Sequence, residues 1–247
     1  KILGINCMNH DAAMSVVDYS SGIGEVLWAA HAERYSKVKN DHYLNWQIVN
    51  EAMTYGPFDK VVYYEKPWLK KTRQLYAGQW SDALSYTELP QWHLDNFNIK
   101  IDEYVKHHDS HAAAGYFTSP FREATILTVD AIGEWDTVSI STAEKIWIER
   151  KETIKYPHSI GILYSAFTHR CGLKPAEEEY ILMGMAAYGE PKYKEDIYND
   201  FVYQSPFKLK QNLHRGLSEW HPEADPMDLA ASIQAVTEEC LADLWHR

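Results

Sequence analysis

The sequence predicts an α/β fold built on a mixed sheet flanked by helices. Three observations lead there. Short apolar and β-branched runs, separated by turn residues, recur at the start of the chain. Strand-like and helix-like stretches then alternate. From Ile160 onward the apolar spacing is mainly helical.

In chain order, Ile2–Cys7 is a short apolar run and reads as a strand. Ala12–Tyr19 is apolar with enough β-branching for a second, and the turn residues of Ser20–Gly24 link it to a third, Glu25–Ala32. Residues 31–41 (HAERYSKVKND) read as a charged loop. Leu44–Tyr55 has helical spacing and Lys60–Tyr64 is a short buried-type strand. The stretch from Pro67 to about Leu84 reads as a helix with proline in its first turn. Residues 85–99 are less regular. Glu103–His107 suggests a strand running into a helix over Ser110–Phe117. Ala124–Asp130 is a strong strand, with Thr137–Thr142 and Lys145–Glu149 as antiparallel neighbours. Helices follow over Ile160–Cys171, Tyr180–Tyr188 and Met227–Trp245. Residues 203–226 read as a long excursion before the last helix.

Bulk properties narrow the function. The 247 residues are 45% hydrophobic, enough for one large core or two small ones. A net charge of -11 argues against tight nonspecific binding to nucleic acid, which needs clustered Lys and Arg. Cys7, Cys171 and Cys240 are widely spaced and odd in number, so they form neither a disulfide framework nor a zinc pattern. They point to a reducing, cytoplasmic setting. No apolar run is long enough for a membrane span, and no partner membrane is expected.

Four constellations can carry chemistry. In His107-His108-Asp109-Ser110-His111, histidines four apart can face one way on a helical turn and reach one cation. The alternative is a polar helix start capped by Asp109 or Ser110. In Thr128 through Glu134, Asp130 ends a buried strand, where open α/β sheets place ligands; otherwise it opens a tight turn. His10 stands in the turn after the first strand, where a general base can act, and a plain hairpin explains the same residues. Glu177, Glu178 and Glu179 open an apolar helix, as its dipole favours, and Gly189 and Pro191 end it. In the charged loop, Arg34, Lys37 and Lys39 can meet an anion or simply be solvated.

Together these segments resemble the O-carbamoyltransferases that include nodulation and antibiotic-modifying enzymes. The matching stretches are Ile2–Asn6 with His10-Asp11-Ala12, Ala32 through Asp41, His107 through Phe121, Val129 through Glu134, Leu163–Thr168, and Lys174 through Pro191. The N-terminal domain of that family is similar to the tRNA threonylcarbamoyl-transfer protein. The resemblance therefore implies an actin/sugar-kinase-like sheet and the first half of a two-lobed domain. Residues 1–247 would be the N-terminal part of the carbamoyl-transfer domain. A second lobe and a C-terminal adenylate-forming domain are expected beyond it, and the piece alone is expected to be inactive.

The resemblance also implies roles. His107, His111 and Asp130 would hold a divalent metal, iron(II). His10 and Asp130 would act at the transferred group, and Glu177, Glu179 and Gly184 would contact the cofactor. Carbamoyl adenylate, made from carbamoyl phosphate and ATP, would donate the carbamoyl group. The acceptor would be a hydroxyl of a small molecule, sugar or nucleoside, and the enzyme a homodimer. A threonylcarbamoyl-transfer-type protein, or a non-catalytic module of the same descent, is the alternative. Two positions depart from the family pattern: Ala131 replaces a glycine and Ile181 a lysine.

Overall fold

The computed structural model describes residues 1–9, 11–22, 24–217 and 219–246. The chain divides into two compact units, Lys1–Pro120 and Phe121–Arg247.

In the first unit, β1 (Ile2–Asn6), β2 (Ala13–Asp18) and β3 (Glu25–His31) form an antiparallel meander. β4 (Lys60–Tyr63) pairs with β1 in parallel, and β5 (Glu103–Tyr104) pairs with β4 in parallel. The result is a five-stranded mixed sheet in the order β3-β2-β1-β4-β5. Strand period two sets its core face. Leu3 lies opposite Val16 and Ile5 opposite Met14, and all four are buried.

Helix α2 (Trp46–Met53) adds Ile48, Val49 and Ala52 to this core. It starts where it does because Asn45 caps it: Oδ1 accepts from the amides of Gln47 and Ile48 at 3.0 and 3.1 Å.

Several local expectations need correction. The charged loop contains a one-turn helix, α1 (Glu33–Ser36), closed by Lys37 at φ 61°. The helix expected over 67–84 is two, α3 (Pro67–Tyr76) and α4 (Trp80–Leu84), because Gly78 between them turns left-handed at φ 77°. The Lys71 ammonium bridges the break, donating to the carbonyls of Asp82, Ala83 and Ser85 at 3.0, 3.2 and 2.7 Å. In the irregular stretch, α5 (Pro90–Leu94) leads into a 3-10 turn over Asp95–Phe97. The strand expected to reach His107 stops at Tyr104, and α6 (His107–Phe117) starts at that histidine.

The second unit opens with a three-stranded antiparallel meander, β6 (Glu123–Gly133), β7 (Asp136–Glu144) and β8 (Trp147–Lys155). Lys145 and Ile146, expected in a strand, form the turn between β7 and β8, with Lys145 at φ 56°. Helices α7 (Ile160–Arg170), α8 (Glu179–Ala186), α9 (Lys194–Phe201) and α10 (Pro226–Trp245) pack a core around Phe167, Leu182, Ile197, Leu229 and Ile233. The sequence reading lacked α9. It also lacked the hairpin of β9 (Val202–Tyr203) and β10 (Lys208–Leu209) inside the excursion. Helix α8 ends at Ala186, before Gly189. Gly189 has a different task, because a Cβ there would meet the Met227 carbonyl oxygen at 2.0 Å and the Asp228 amide nitrogen at 2.7 Å. Its backbone lies directly on the start of α10.

Backbone cannot yield there as a side-chain tip can, so Gly189→Ala is expected to destabilise the chain by about 2 kcal/mol or more. Gly115→Ala, at an open position inside α6, is expected to stabilise by about 0.5–1 kcal/mol. Urea unfolding midpoints of the two variants check the pair.

Candidate metal centre and the carboxylates of the second unit

The first unit brings two of the expected ligands together. His107 opens α6 and His111 lies one turn on, so both rings leave the same face. Their Nε2 atoms are 3.0 Å apart. Two imidazole nitrogens this close can share one neutral N–H···N hydrogen bond, or turn both lone pairs on one cation with bonds of about 2.0–2.1 Å. His107 is buried and His111 exposed, so the pair has a protein side and an open side.

The residue the sequence reading missed is Glu65. It lies two residues past the end of β4, and its carboxylate faces His107 Nδ1 at 3.6 Å. Only 5% of Glu65 is exposed. Burial pushes its carboxyl up, but the facing His107 ring and the Lys70 ammonium at 3.2 Å outweigh that and hold it below the ordinary carboxylate range. A carboxylate facing Nδ1 favours the proton on that nitrogen and leaves Nε2 free as a ligand, the usual outer-shell arrangement of metal-bound histidine. Two more contacts fix the geometry. The Tyr64 ring meets His107 edge-on at 5.2 Å, and the Ser110 hydroxyl donates to the Tyr64 carbonyl at 2.7 Å, tying α6 to the end of β4. The set of two imidazoles and an outer carboxylate fits a divalent transition metal. The one sequence signal for Glu65 was a carboxylate placed just past a short apolar strand.

His10 lies outside the described residues. On either side of it in sequence, the Met8 amide donates to the His42 carbonyl at 2.8 Å and the Ala12 amide to the Asp41 carbonyl at 2.7 Å.

In the second unit, Asp130 stands at a bulge. The β6–β7 register breaks between Val129 and Gly133, leaving Asp130, Ala131 and Ile132 out of the ladder. Ser159, fully buried, secures the bulge. Its hydroxyl donates to the Ala131 carbonyl at 2.7 Å and accepts from the Ile162 amide at 3.0 Å, capping α7. The room for Ala131 comes from Gly161, where a Cβ would lie 2.8 Å from the Ala131 Cα.

Of the three acids at 177–179, only Glu179 is helical. One of its oxygens accepts from the Ser165 hydroxyl and the Ala176 amide, both at 2.6 Å. Glu177 pairs with Lys174 on the surface at 2.5 Å, a contact of little energetic weight. Gly184 lies within α8 with open space beside it. A cavity of about 340 Å³ in this unit is lined by Ala131, Ser165, His169, Ala176 and Arg215, among others, so the Glu179 partners stand on its wall.

The residues now located, His107 and His111 on one helix and Asp130 at a strand-end bulge, lie inside a recognised domain. A family model described as "Carbamoyltransferase N-terminus" matches residues 72–246, and this chain belongs to that family. An uncharacterized protein of Synechocystis sp. is 31% identical over 99% of this chain and 48% of its own length. The nodulation protein NolNO of Sinorhizobium fredii is 26% identical over 79% of this chain and 30% of its own. The chain thus spans about half or less of these relatives. Among solved structures, a Ppx/GppA phosphatase of Aquifex aeolicus aligns with a TM-score of 0.36 and 10% identity, over 96% of this chain and 90% of its own. That likeness is too slight to carry an argument. Among the described residues, no helix is long and apolar enough to cross a membrane.

Glu65→Gln is expected to weaken divalent-cation binding about 10–100-fold, as loss of outer-shell partners does. Glu103→Gln, which removes a surface partner of Lys60, is expected to leave it alone. Competition with a chromophoric chelator reads both affinities.

Proposed function

We propose that this chain is the acceptor-side part of an O-carbamoyltransferase. It would pass a carbamoyl group from carbamoyl adenylate, made elsewhere in the intact protein from carbamoyl phosphate and ATP, to an acceptor hydroxyl. The observation that carries the reading is the convergence of His107 and His111 at 3.0 Å, backed by Glu65, within a carbamoyltransferase domain. On this reading the five-stranded mixed sheet belongs to an actin/sugar-kinase-like lobe.

His107 and His111 would hold a divalent metal, iron(II) by the sequence resemblance, which also assigns Asp130 as a further ligand; zinc or manganese would fit the same donors. The metal would supply Lewis acidity toward phosphate and carbonyl oxygens. The protein's own groups do the rest. Glu65 holds the His107 ring and its tautomer. His10 would take the proton of the acceptor hydroxyl as its oxygen attacks the carbamoyl carbon; the bond from that carbon to the phosphate oxygen breaks and AMP leaves. Glu179, whose partners Ser165 and Ala176 line the 340 Å³ cavity, is assigned to the nucleotide side together with Glu177 and Gly184 from the sequence resemblance. The anhydride donor already carries a good leaving group, so positioning and a base supply most of what transfer needs. The net charge of -11 suits a small acceptor better than tRNA. The free cysteines suit the cytoplasm.

The full-length protein is expected to bind one divalent metal. His107→Ala and His111→Ala should each lower occupancy and cut carbamoyl transfer by at least about 100-fold, in the range of a lost electrostatic catalyst. Metal analysis, with radiolabelled carbamoyl phosphate, ATP and a panel of sugar, nucleoside and tRNA acceptors, checks this. Full transfer by a metal-free His107→Ala protein would sink the reading, and transfer confined to tRNA would move it to the threonylcarbamoyl-transfer class.

A further inference from the structure

The turn between β1 and β2 is unusual in its backbone. Met8 and Asp11 both sit at positive φ, 67° and 56°. Non-glycine residues there cost free energy and persist only when the surroundings hold them. The holding contacts come from a strap, residues 41–45, on the far side of β3 in the sequence. The Asp41 and His42 carbonyls take the Ala12 and Met8 amides. The Asn6 side-chain amide adds a bond to the Asp11 carbonyl at 3.1 Å.

The strap is itself anchored. Asn45 caps α2, Leu44 is sunk in the core, and the Leu44 amide donates to Nε2 of His93 on α5 at 3.1 Å. That bond is buried and needs an imidazole with no proton on Nε2. His93 is packed between the Tyr43 and Phe97 rings, each 5.4 Å away.

We propose that His93 is a positioning residue: by accepting the Leu44 amide it locks the strap that holds the turn carrying His10. The inference rests on the reading of His10 as the base for the acceptor hydroxyl. Protonation of His93 turns the acceptor into a donor facing the Leu44 N–H, so the lock opens in acid. The other groups around the ring set how far the acid must go. The Asp41 carboxylate on the strap favours the charged ring. Burial disfavours it more and keeps the group below its ordinary value, so the lock holds at neutral pH. On the histidine's own segment, Asp95 is engaged by Gln91 at 2.8 Å, and Asn96 donates to the His93 carbonyl at 3.0 Å. The strap also carries His42, its ring tilted against Tyr43 at 6.3 Å, and the Tyr43 phenol itself.

Two variants of the full-length protein test this. His93→Gln keeps an acceptor that does not titrate, and His93→Leu keeps an apolar side chain without the acceptor. The first readout is hydrogen exchange of the Met8, Ala12 and Leu44 amides across pH 5–8, corrected for intrinsic rates. In the parent protein their protection is expected to fall on the acid side. In His93→Gln it should stay flat. In His93→Leu it should be low throughout, by roughly 3–10-fold, the worth of one hydrogen bond. The second readout is the pH profile of carbamoyl transfer, in which His93→Gln should lose the His93 contribution to the parent's acid-side fall in kcat and keep only that of the base. Unchanged protection in His93→Leu would overturn the lock whatever the activity. Lost protection with an unaltered transfer profile would overturn the positioning role. His10→Ala separates the premise: if that variant transfers normally, the reading of the base fails, while the exchange result still judges the lock.

Discussion

Parallel pairing of β1, β4 and β5 is the constraint on which the first unit depends. Parallel strands end on the same edge of a sheet, and ligand-handling groups in such sheets collect there. The ladder runs slightly past the strands themselves, with the Tyr64 amide on the Ile5 carbonyl and the Val105 amide on the Tyr63 carbonyl. Past those bonds the chain delivers three things to one edge: the β1–β2 turn, Glu65, and His107 at the head of α6. The Tyr63 hydroxyl, donating to the Cys7 carbonyl at 2.5 Å, closes the strand ends from below.

Placing charge at that edge is costly. Glu65 is nearly buried, and a buried carboxylate gains little unless its partners are well held. Lys70 supplies a cation to Glu65, and the Tyr64 ring meets His107 edge-on. Such an arrangement makes sense as preorganisation of His107 rather than as a source of stability. The nearby Cys7 contributes packing only, since burial pushes its thiol up to about 12 and leaves no reactive thiolate.

The second unit solves a different problem, that of turning a strand end outward. A bulge at Asp130, Ala131 and Ile132 leaves three backbone units without ladder partners, and Ser159 and Gly161 secure it. Gly161 lets the backbone of Asp130 and Ala131 lie against the start of α7, where a Cβ would meet the Ala131 Cα at 2.8 Å. One Glu179 oxygen is likewise committed to shaping the turn at Ala176, itself at φ 65°. The carboxylate is thus structural.

What the sequence determined by itself was local. Short apolar and β-branched runs bounded by turn residues placed β1, β2, β3, β4 and β6, because such residues favour strands locally. Pro67, the histidine spacing and the ordered motifs of the family were equally readable, since each depends on residues a few positions apart. Tertiary structure decided the rest. It chose parallel β1–β4 pairing, broke 67–84 at Gly78, began α6 at His107, and matched Glu65 to His107 across 42 residues of chain. It also set His93 against Leu44, 49 residues away. Those outcomes rest on burial and on hydrogen bonds between distant segments, and no short window of sequence contains both partners.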